Sequence, residues 1–85
     1  MHDFDYRIKY LFYDNKHKQV FDYGISQYRS DNHLQALLKL WESIKPNKYY
    51  CYIQVIGLYS FKNHGLITST YIDRFNISQR KKALL

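Results

Sequence analysis

Residues 4–12 alternate between apolar and mainly polar side chains, and this alternation limits the possible fold more than any other feature of the sequence. One face would carry Phe4, Tyr6, Ile8, Tyr10 and Phe12, and the other would carry Asp5, Arg7, Lys9 and Leu11. A period of two residues is typical of a β-strand with one face buried. The sequence therefore predicts a first strand here, with its aromatic face toward a core.

A second alternation follows a polar turn and predicts a β-hairpin. Phe21, Tyr23 and Ile25 would share one face of the second strand. The two apolar faces coincide when Phe12 lies opposite Phe21 and Ile8 lies opposite Ile25. A slip of one residue would turn one set toward water, so the pattern favours this register.

The spacing of the apolar residues then changes to that of a helix over residues 31–45. The predicted buried face consists of Leu34, Leu37, Leu38, Trp41 and Ile44. Ser30 or Asp31 can cap its first turn, because either side chain accepts hydrogen bonds from free backbone amides. Lys45 precedes Pro46, which disfavours helical backbone and is expected to end the helix.

The second half of the chain predicts two more strands and a basic end. Residues 49–61 are rich in aromatic and β-branched residues on both faces, which favours a central strand. Residues 62–65 suggest a tight turn with Gly65 in the left-handed conformation, followed by a strand at 66–72. Residues 73–85 are expected to form a basic tail or a short helix.

Together these elements predict a small α+β protein with an antiparallel sheet of three or four strands in the chain order ββαββ. One main helix would pack on one face of the sheet, and a short C-terminal helix is possible. A chain of 85 residues is expected to be a single domain over 1–85. The predicted core is Ile8, Tyr10, Phe12, Phe21, Tyr23, Ile25, Leu34, Leu37, Leu38, Trp41, Ile53 and Val55.

Several kinds of chemistry lack the residues they need. His2, His17, His33, His64 and the single cysteine, Cys51, are far apart in sequence, so neither a metal nor another cofactor is predicted. The acidic residues form no catalytic pair, and the three glycines are isolated rather than grouped in a phosphate-binding loop. The sequence thus favours a protein without catalytic activity.

The N-terminus and the cysteine content bear on location. Residues 1–5 lack the basic and apolar regions of a signal peptide, and one cysteine cannot form an internal disulfide. No stretch reaches the roughly 18 apolar residues that span a membrane. The expected location is the cytoplasm of a bacterial host cell, because frequent Lys, Ile, Tyr, Phe and Asn are typical of A+T-rich bacterial and phage genes.

Basic residues suggest one kind of partner. The formal net charge is +6, and residues 62–85 hold five Lys or Arg against one Asp. The candidate basic contacts are Arg74, Arg80, Lys81 and Lys82 near the C-terminus, with Lys16 and Lys18 in the predicted hairpin turn. Such residues can neutralise phosphates. A solvated tail and a charged turn that keeps a strand edge soluble are the alternative explanations.

The ten tyrosines suggest a recognition surface, because a core of this size cannot satisfy so many hydroxyl groups. The candidate aromatic contacts, at strand ends or opposite the presumed core, are Tyr13, Tyr28, Tyr49 and either Tyr50 or Tyr52, with Tyr50 preferred. Exposed tyrosines give contact area and can stack on bases. Alternatively, the phenol rings complete the rim of a thin core.

The expected function is binding to nucleic acid or to the acidic surface of a nucleoprotein complex through this basic, tyrosine-rich surface. In size and charge the chain resembles small accessory proteins of phages and mobile elements, including anti-CRISPR inhibitors. That resemblance assigns no residues and no oligomeric state. A small ribonuclease toxin, ribosome-dependent or free, remains the alternative, since such toxins share this size and charge.

Overall fold

The computed structural model contains four strands and two helices. It describes residues 4–44, 48–68 and 70–83, with side chains to residue 81. They are β1 (Tyr6–Tyr13), β2 (Gly24–Tyr28), α1 (His33–Ser43), β3 (Tyr52–Ser60), β4 (Gly65–Leu66) and α2 (Thr70–Ala83). The sheet order is β2-β1-β3-β4, and all neighbours are antiparallel. The predicted α+β class is confirmed, with β3 as an inner strand.

The predicted hairpin register is wrong by one residue. Tyr10 lies opposite Gly24, and Ile8 lies opposite Ser26. Tyr23 and Ile25 are consequently about half exposed. Phe21, which precedes β2, is also exposed, but its ring still packs 5.5 Å from that of Phe12.

The volume of the aromatic rings on β1 explains this register. A Cβ atom on Gly24 would lie 2.6 Å from Tyr10 Cε2 and 3.1 Å from Phe12 Cε2, closer than van der Waals contact allows. The hydroxyl groups of Tyr10 and Ser26 are 2.8 Å apart and form a hydrogen bond. The inner face of β2 therefore needs a glycine and a serine where β1 supplies large rings.

The β1–β3 pairing is the longest in the sheet and contains one irregularity. Lys9 lies opposite Gly57, whereas Tyr10 lies opposite Val55, so Ile56 is an extra residue on β3. A bulge of this kind bends the strand and increases its twist. Beyond the bulge, Phe12 and Ile53 share the inner face of the sheet.

Helix α1 begins one residue beyond Asn32, and Asn32 is its cap rather than the predicted Ser30 or Asp31. The Asn32 side chain accepts a hydrogen bond from the backbone N–H of Gln35 at 2.9 Å. The backbone N–H of Ser30 instead donates to the carboxylate of Asp5, which ties the loop to β1. The predicted end at residues 45–46 lies outside the described residues.

The buried face of α1 is rotated from the predicted one. Ala36, Leu37 and Leu40 are almost fully buried, whereas Leu34 and Leu38 are 39% and 53% exposed. Two apolar stripes therefore run along α1, one against the sheet and one facing α2. Trp41 lies between them, half-buried, with its ring 5.5 Å from that of Phe75 on α2.

The predicted fourth strand is present, but its predicted extent over residues 66–72 is wrong. Strand β4 contains only two residues, and α2 begins at Thr70. In the preceding turn, His64 has the positive φ of 50°, not Gly65. The possible C-terminal helix is confirmed, and it begins three residues before the predicted residue 73. Its Asn76 side chain makes two hydrogen bonds to the backbone of Val55, at 2.7 and 3.1 Å, beside the edge of β3.

The core lies between the inner face of the sheet and the two helices. Its buried residues are Tyr6, Ile8, Ala36, Leu37, Leu40, Ile53, Val55, Leu58 and Phe75. Of the predicted core, Tyr10, Phe12 and Trp41 pack at its margin, and Phe21, Tyr23, Ile25, Leu34 and Leu38 are exposed. Neither described helix is long and apolar enough to cross a membrane.

Candidate functional site

The described helices cover one face of the sheet, and the opposite face is open. We call this second surface the open face. The register places on it the side chains of Arg7, Lys9, Leu11, Tyr13, Ile25, Gln27, Tyr52, Gln54, Tyr59 and Leu66. The contacts of Lys9 and Arg7 add the rings of Tyr23 and Phe61. Arg7, Lys9 and Leu66 are exposed. The open face thus combines cations, aromatic rings and aliphatic side chains.

The strand residues of the open face carry only positive charge. The four described strands contain no acidic residue, and their charged residues, Arg7 and Lys9, are both basic. These two residues are two positions apart on β1, so they project from the same face. The open face therefore has a fixed positive centre.

The Arg7 guanidinium is held by two neutral groups. With the Gln27 side-chain oxygen facing it, Arg7 Nε and Nη2 each donate at 3.0 Å across the β1–β2 pair. On the other side, Arg7 Cζ lies 5.2 Å from the centre of the Phe61 ring. No carboxylate within the described residues forms an ion pair with Arg7. The groups that hold its position are therefore neutral.

Lys9 is positioned in a similar way. Its Nζ atom lies 4.0 Å from the centre of the Tyr23 ring, a cation–π contact. Gly57 lies opposite Lys9 on β3, and a Cβ atom there would meet only Lys9 Cβ, at 3.9 Å. The backbone at Gly57 is therefore uncovered beside Lys9, and we call this patch of backbone the floor.

An aromatic cluster closes one end of the open face, next to the β1–β2 turn. Tyr13 stacks on Tyr52 with ring centres 5.2 Å apart and nearly parallel planes. The Tyr52 hydroxyl, on a side chain only 2% exposed, lies 2.6 Å from His17 Nδ1. His17 has a positive φ of 63°, and its ring lies 5.5 Å from that of Tyr52.

The turn itself carries two of the predicted basic residues. The Asp14 carboxylate accepts hydrogen bonds from the backbone N–H groups of Lys16 and Lys18, at 2.8 and 3.0 Å. These bonds, with the effect of Lys18 the larger, hold the pKa of Asp14 below its usual value. The structure thus brings Lys16 and Lys18 to the same end of the sheet as the predicted Tyr13.

Tyr28, Tyr49 and Tyr50 lie apart from the open face, whereas Tyr52, the alternative to Tyr50, lies on it. Tyr50 packs edge-on against Phe12, 4.9 Å between centres, and burial raises the pKa of its phenol, with a smaller effect from Tyr10. Tyr49 lies in the same inner-face cluster, 6.2 Å from Phe21. Tyr28 is on the inner side of β2, with its hydroxyl 3.1 Å from that of Ser43 at the end of α1.

The predicted basic residues of the C-terminal part are on α2. Arg74 lies over the Tyr71 ring at 5.9 Å and borders a groove between α1 and α2 with a volume of about 170 Å³. Arg80 and Lys81 are exposed. The side chain of Lys82 lies outside the described residues. The structure does not bring Arg74 together with Lys16 and Lys18.

No group of three or more potential metal ligands occurs within the described residues. The sequence pattern assigned Arg7 and Lys9 to the face away from the core but did not select them as site residues. The signal that could have identified them is a pair of basic residues two positions apart on one strand face, beside a predicted central strand, 49–61, that contains no acidic residue.

These features describe a small α+β protein whose sheet has one helix-covered face and one basic, aromatic open face. Comparison with protein-family models, curated proteins and solved structures finds no match to this chain.

Proposed function

We propose that this protein binds nucleic acid through the open face and has no catalytic role in doing so. The feature that carries the proposal is the exposed Arg7 guanidinium. Gln27, with its side-chain oxygen turned toward Arg7, and the Phe61 ring orient it, and it forms no ion pair with a carboxylate in the described chain. Arginine is suited to phosphate recognition, because its planar donors can engage two oxygens at once.

The surroundings of Arg7 support an anionic ligand rather than a structural ion pair. A buried or structural arginine is normally paired with a carboxylate. Here an amide and an aromatic ring fix the side chain on an exposed surface, and Lys9 adds a second cation two residues away. The net charge of +6 attracts polyanions over a longer range.

The aromatic part of the open face supports nucleic acid over a simple anion. Tyr23 and Phe61 each lie under one of the two cations, and Tyr59 packs 5.2 Å from Phe61. A nucleic-acid strand carries both phosphates and bases. Its phosphates can contact the cations of the open face, and its bases can stack on the rings.

The test is a charge-matched comparison of two double variants. Arg7→Gln with Lys9→Gln removes two positive charges from the open face, and Arg80→Gln with Lys81→Gln removes two from α2. Binding to labelled 12-nucleotide RNA and DNA is measured by fluorescence anisotropy at several salt concentrations. We expect the first pair to weaken binding and to reduce the log–log salt slope by about 0.7 for each phosphate that is no longer neutralised.

The control pair separates the proposal from general charge attraction. Loss of binding only in the Arg80 and Lys81 variant would refute the open face as the contact surface and assign binding to the basic end. Failure of the parent protein to bind any oligonucleotide would refute nucleic-acid binding. The acidic surface of a nucleoprotein complex would then be the partner to capture from a bacterial lysate.

One contact favours a second candidate function, a small ribonuclease. The buried Tyr52 hydroxyl holds the His17 imidazole at 2.6 Å, next to Lys16 and Lys18. A positioned histidine beside cations can remove a proton during RNA cleavage. Incubation of labelled RNA with the parent and with His17→Gln tests this candidate, since cleavage that disappears in the variant would favour the enzyme over the binding protein.

A further inference from the structure

From the composition of the open face we infer that the ligand is single-stranded nucleic acid with unpaired bases, a conclusion that rests on the proposed function above. The balance between rings and charges on this surface favours that ligand. A duplex presents mainly phosphates and hides the faces of its bases, whereas a single strand presents both.

The open face exposes more apolar surface than phosphate contacts can use. Tyr23 is 53% exposed, Ile25 is 50% exposed and Leu66 is 77% exposed. These three residues are distributed from the β2 edge to the β4 edge of the sheet. Unstacked bases can cover such residues and gain stacking energy from Tyr23, but the sugar-phosphate exterior of a duplex cannot.

The small number of cations leads to the same conclusion. The strands provide only Arg7 and Lys9 within the described chain, whereas duplex binding depends largely on neutralising many phosphates. Gly57 leaves the backbone beside Lys9 uncovered, because a Cβ atom at this position would have only Lys9 Cβ near it, at 3.9 Å. A base can approach the backbone there, which a larger side chain would prevent.

The size of the surface limits the length of the bound segment. Arg7 and Tyr13 are six residues apart on β1, which corresponds to about 20 Å at roughly 3.3 Å per residue. Stacked nucleotides rise about 3.4 Å each. The open face therefore accommodates at most about six nucleotides along β1.

The experiment compares 12-nucleotide oligo-uridine, 12-nucleotide oligo-thymidine and a 12-base-pair DNA duplex by fluorescence anisotropy. We expect both single strands to bind at least about 10-fold more tightly than the duplex at physiological salt, because only unpaired bases can stack on the exposed rings. If Arg7 and Lys9 each neutralise one phosphate, the log–log salt slope for a single strand should be about −1.4.

Two variants test the role of the rings and of the floor. Tyr23→Ala should weaken single-strand binding about 5- to 150-fold, the range that corresponds to one stacked base, whereas Tyr23→Phe should retain it. Gly57→Val should weaken binding by covering the floor. Neither position is in the core, so circular dichroism should confirm that both variants fold.

The outcomes distinguish this inference from the function on which it rests. Equal or tighter binding of the duplex, with continued dependence on Arg7 and Lys9, would overturn single-strand recognition but keep nucleic-acid binding. Tyr23→Ala binding as tightly as the parent would also overturn the inference. Absence of binding to all three probes would overturn both proposals.

Discussion

Replacing Gly24 with alanine should destabilise this protein, although glycine-to-alanine changes in regular structure are usually neutral or favourable. The added Cβ atom would lie 2.6 Å from Tyr10 Cε2 and 2.9 Å from Tyr10 Cζ. The Tyr10 ring cannot easily move aside, because its hydroxyl bonds to Ser26 at 2.8 Å and its edge packs on Phe12 at 5.4 Å between centres. The methyl group must therefore displace a ring or the β2 backbone.

The magnitude follows from the steric clash and the hydrogen bond that it disturbs. Overpacking a core by one methyl group costs about 1–3 kcal/mol. Displacing the Tyr10 ring would also weaken one hydrogen bond, at about 0.5–1.5 kcal/mol. The lower entropy of the unfolded alanine chain offsets about 0.4–1 kcal/mol. The expected net loss of stability is about 2 kcal/mol, or a fall in Tm of about 8–16 °C for a domain of this size.

Urea denaturation followed by Trp41 fluorescence measures this loss, and Gly57→Ala is the matched control. At Gly57 the new Cβ atom would meet only Lys9 Cβ at 3.9 Å, so its unfolding midpoint should stay unchanged or rise. Equal midpoints for the two alanine variants would refute the steric explanation of the register. A Tyr10→Leu change should remove most of the effect of Gly24→Ala, because the smaller side chain makes room for the methyl group.

Two further predictions concern the helix face and the turn. Leu40→Ala should lower the free energy of unfolding by about 2–5 kcal/mol, because Leu40 is buried. Leu38→Ala, at a half-exposed position, should change it by no more than about 0.5 kcal/mol. Urea denaturation of both variants measures the difference. The pKa of Asp14 is lower in the folded protein than its unfolded value of 3.8, so its ionised carboxylate stabilises the fold above that pH. This contribution is lost as the pH falls through the folded pKa. The difference in Tm between the parent and Asp14→Asn should therefore shrink below pH 3.8.

The sequence predicted the elements better than their alignment. Period-two alternation identified β1, and the change to helical spacing identified α1. The register of β2 was wrong because counting apolar residues ignores ring volume. The pattern favoured pairing Tyr10 with Tyr23, whereas the space beside the Tyr10 and Phe12 rings accepts only a residue without a side chain.

The buried face of α1 was wrong for a related reason. Leu34 and Leu38 have helical spacing with Trp41, as a core stripe would, but they border the groove toward α2. The sheet is instead covered by a second stripe that includes Leu40. Because the apolar residues of α2 do not align on one face, little in the sequence indicates that a second helix adjoins the first stripe.

The residues selected from the sequence overlap with the open face only at Tyr13 and at Tyr52, the alternative to Tyr50. Basic and aromatic residues were expected to form a surface, and Tyr13 does lie on the open face near Lys16 and Lys18. The alternating pattern of β1 indicates only that Arg7 and Lys9 are on its solvated side. Charge alone does not distinguish a solvated face from a binding face, because the difference depends on partners from elsewhere in the chain, here Gln27 and Phe61.

The hairpin register links the stability of the sheet to the proposed binding surface. With Gly24 opposite Tyr10, the residue that faces Arg7 from β2 is Gln27, whose amide orients the guanidinium. In the register predicted from sequence, Arg7 would instead lie opposite Ser26. The serine side chain is shorter than that of Gln27, so the two hydrogen bonds from the guanidinium to the Gln27 side-chain oxygen could not form. The packing that excludes a side chain at position 24 therefore also determines which group holds Arg7. A variant that shifts this register should lose core packing and nucleic-acid binding together, whereas Gly57→Val should affect binding alone.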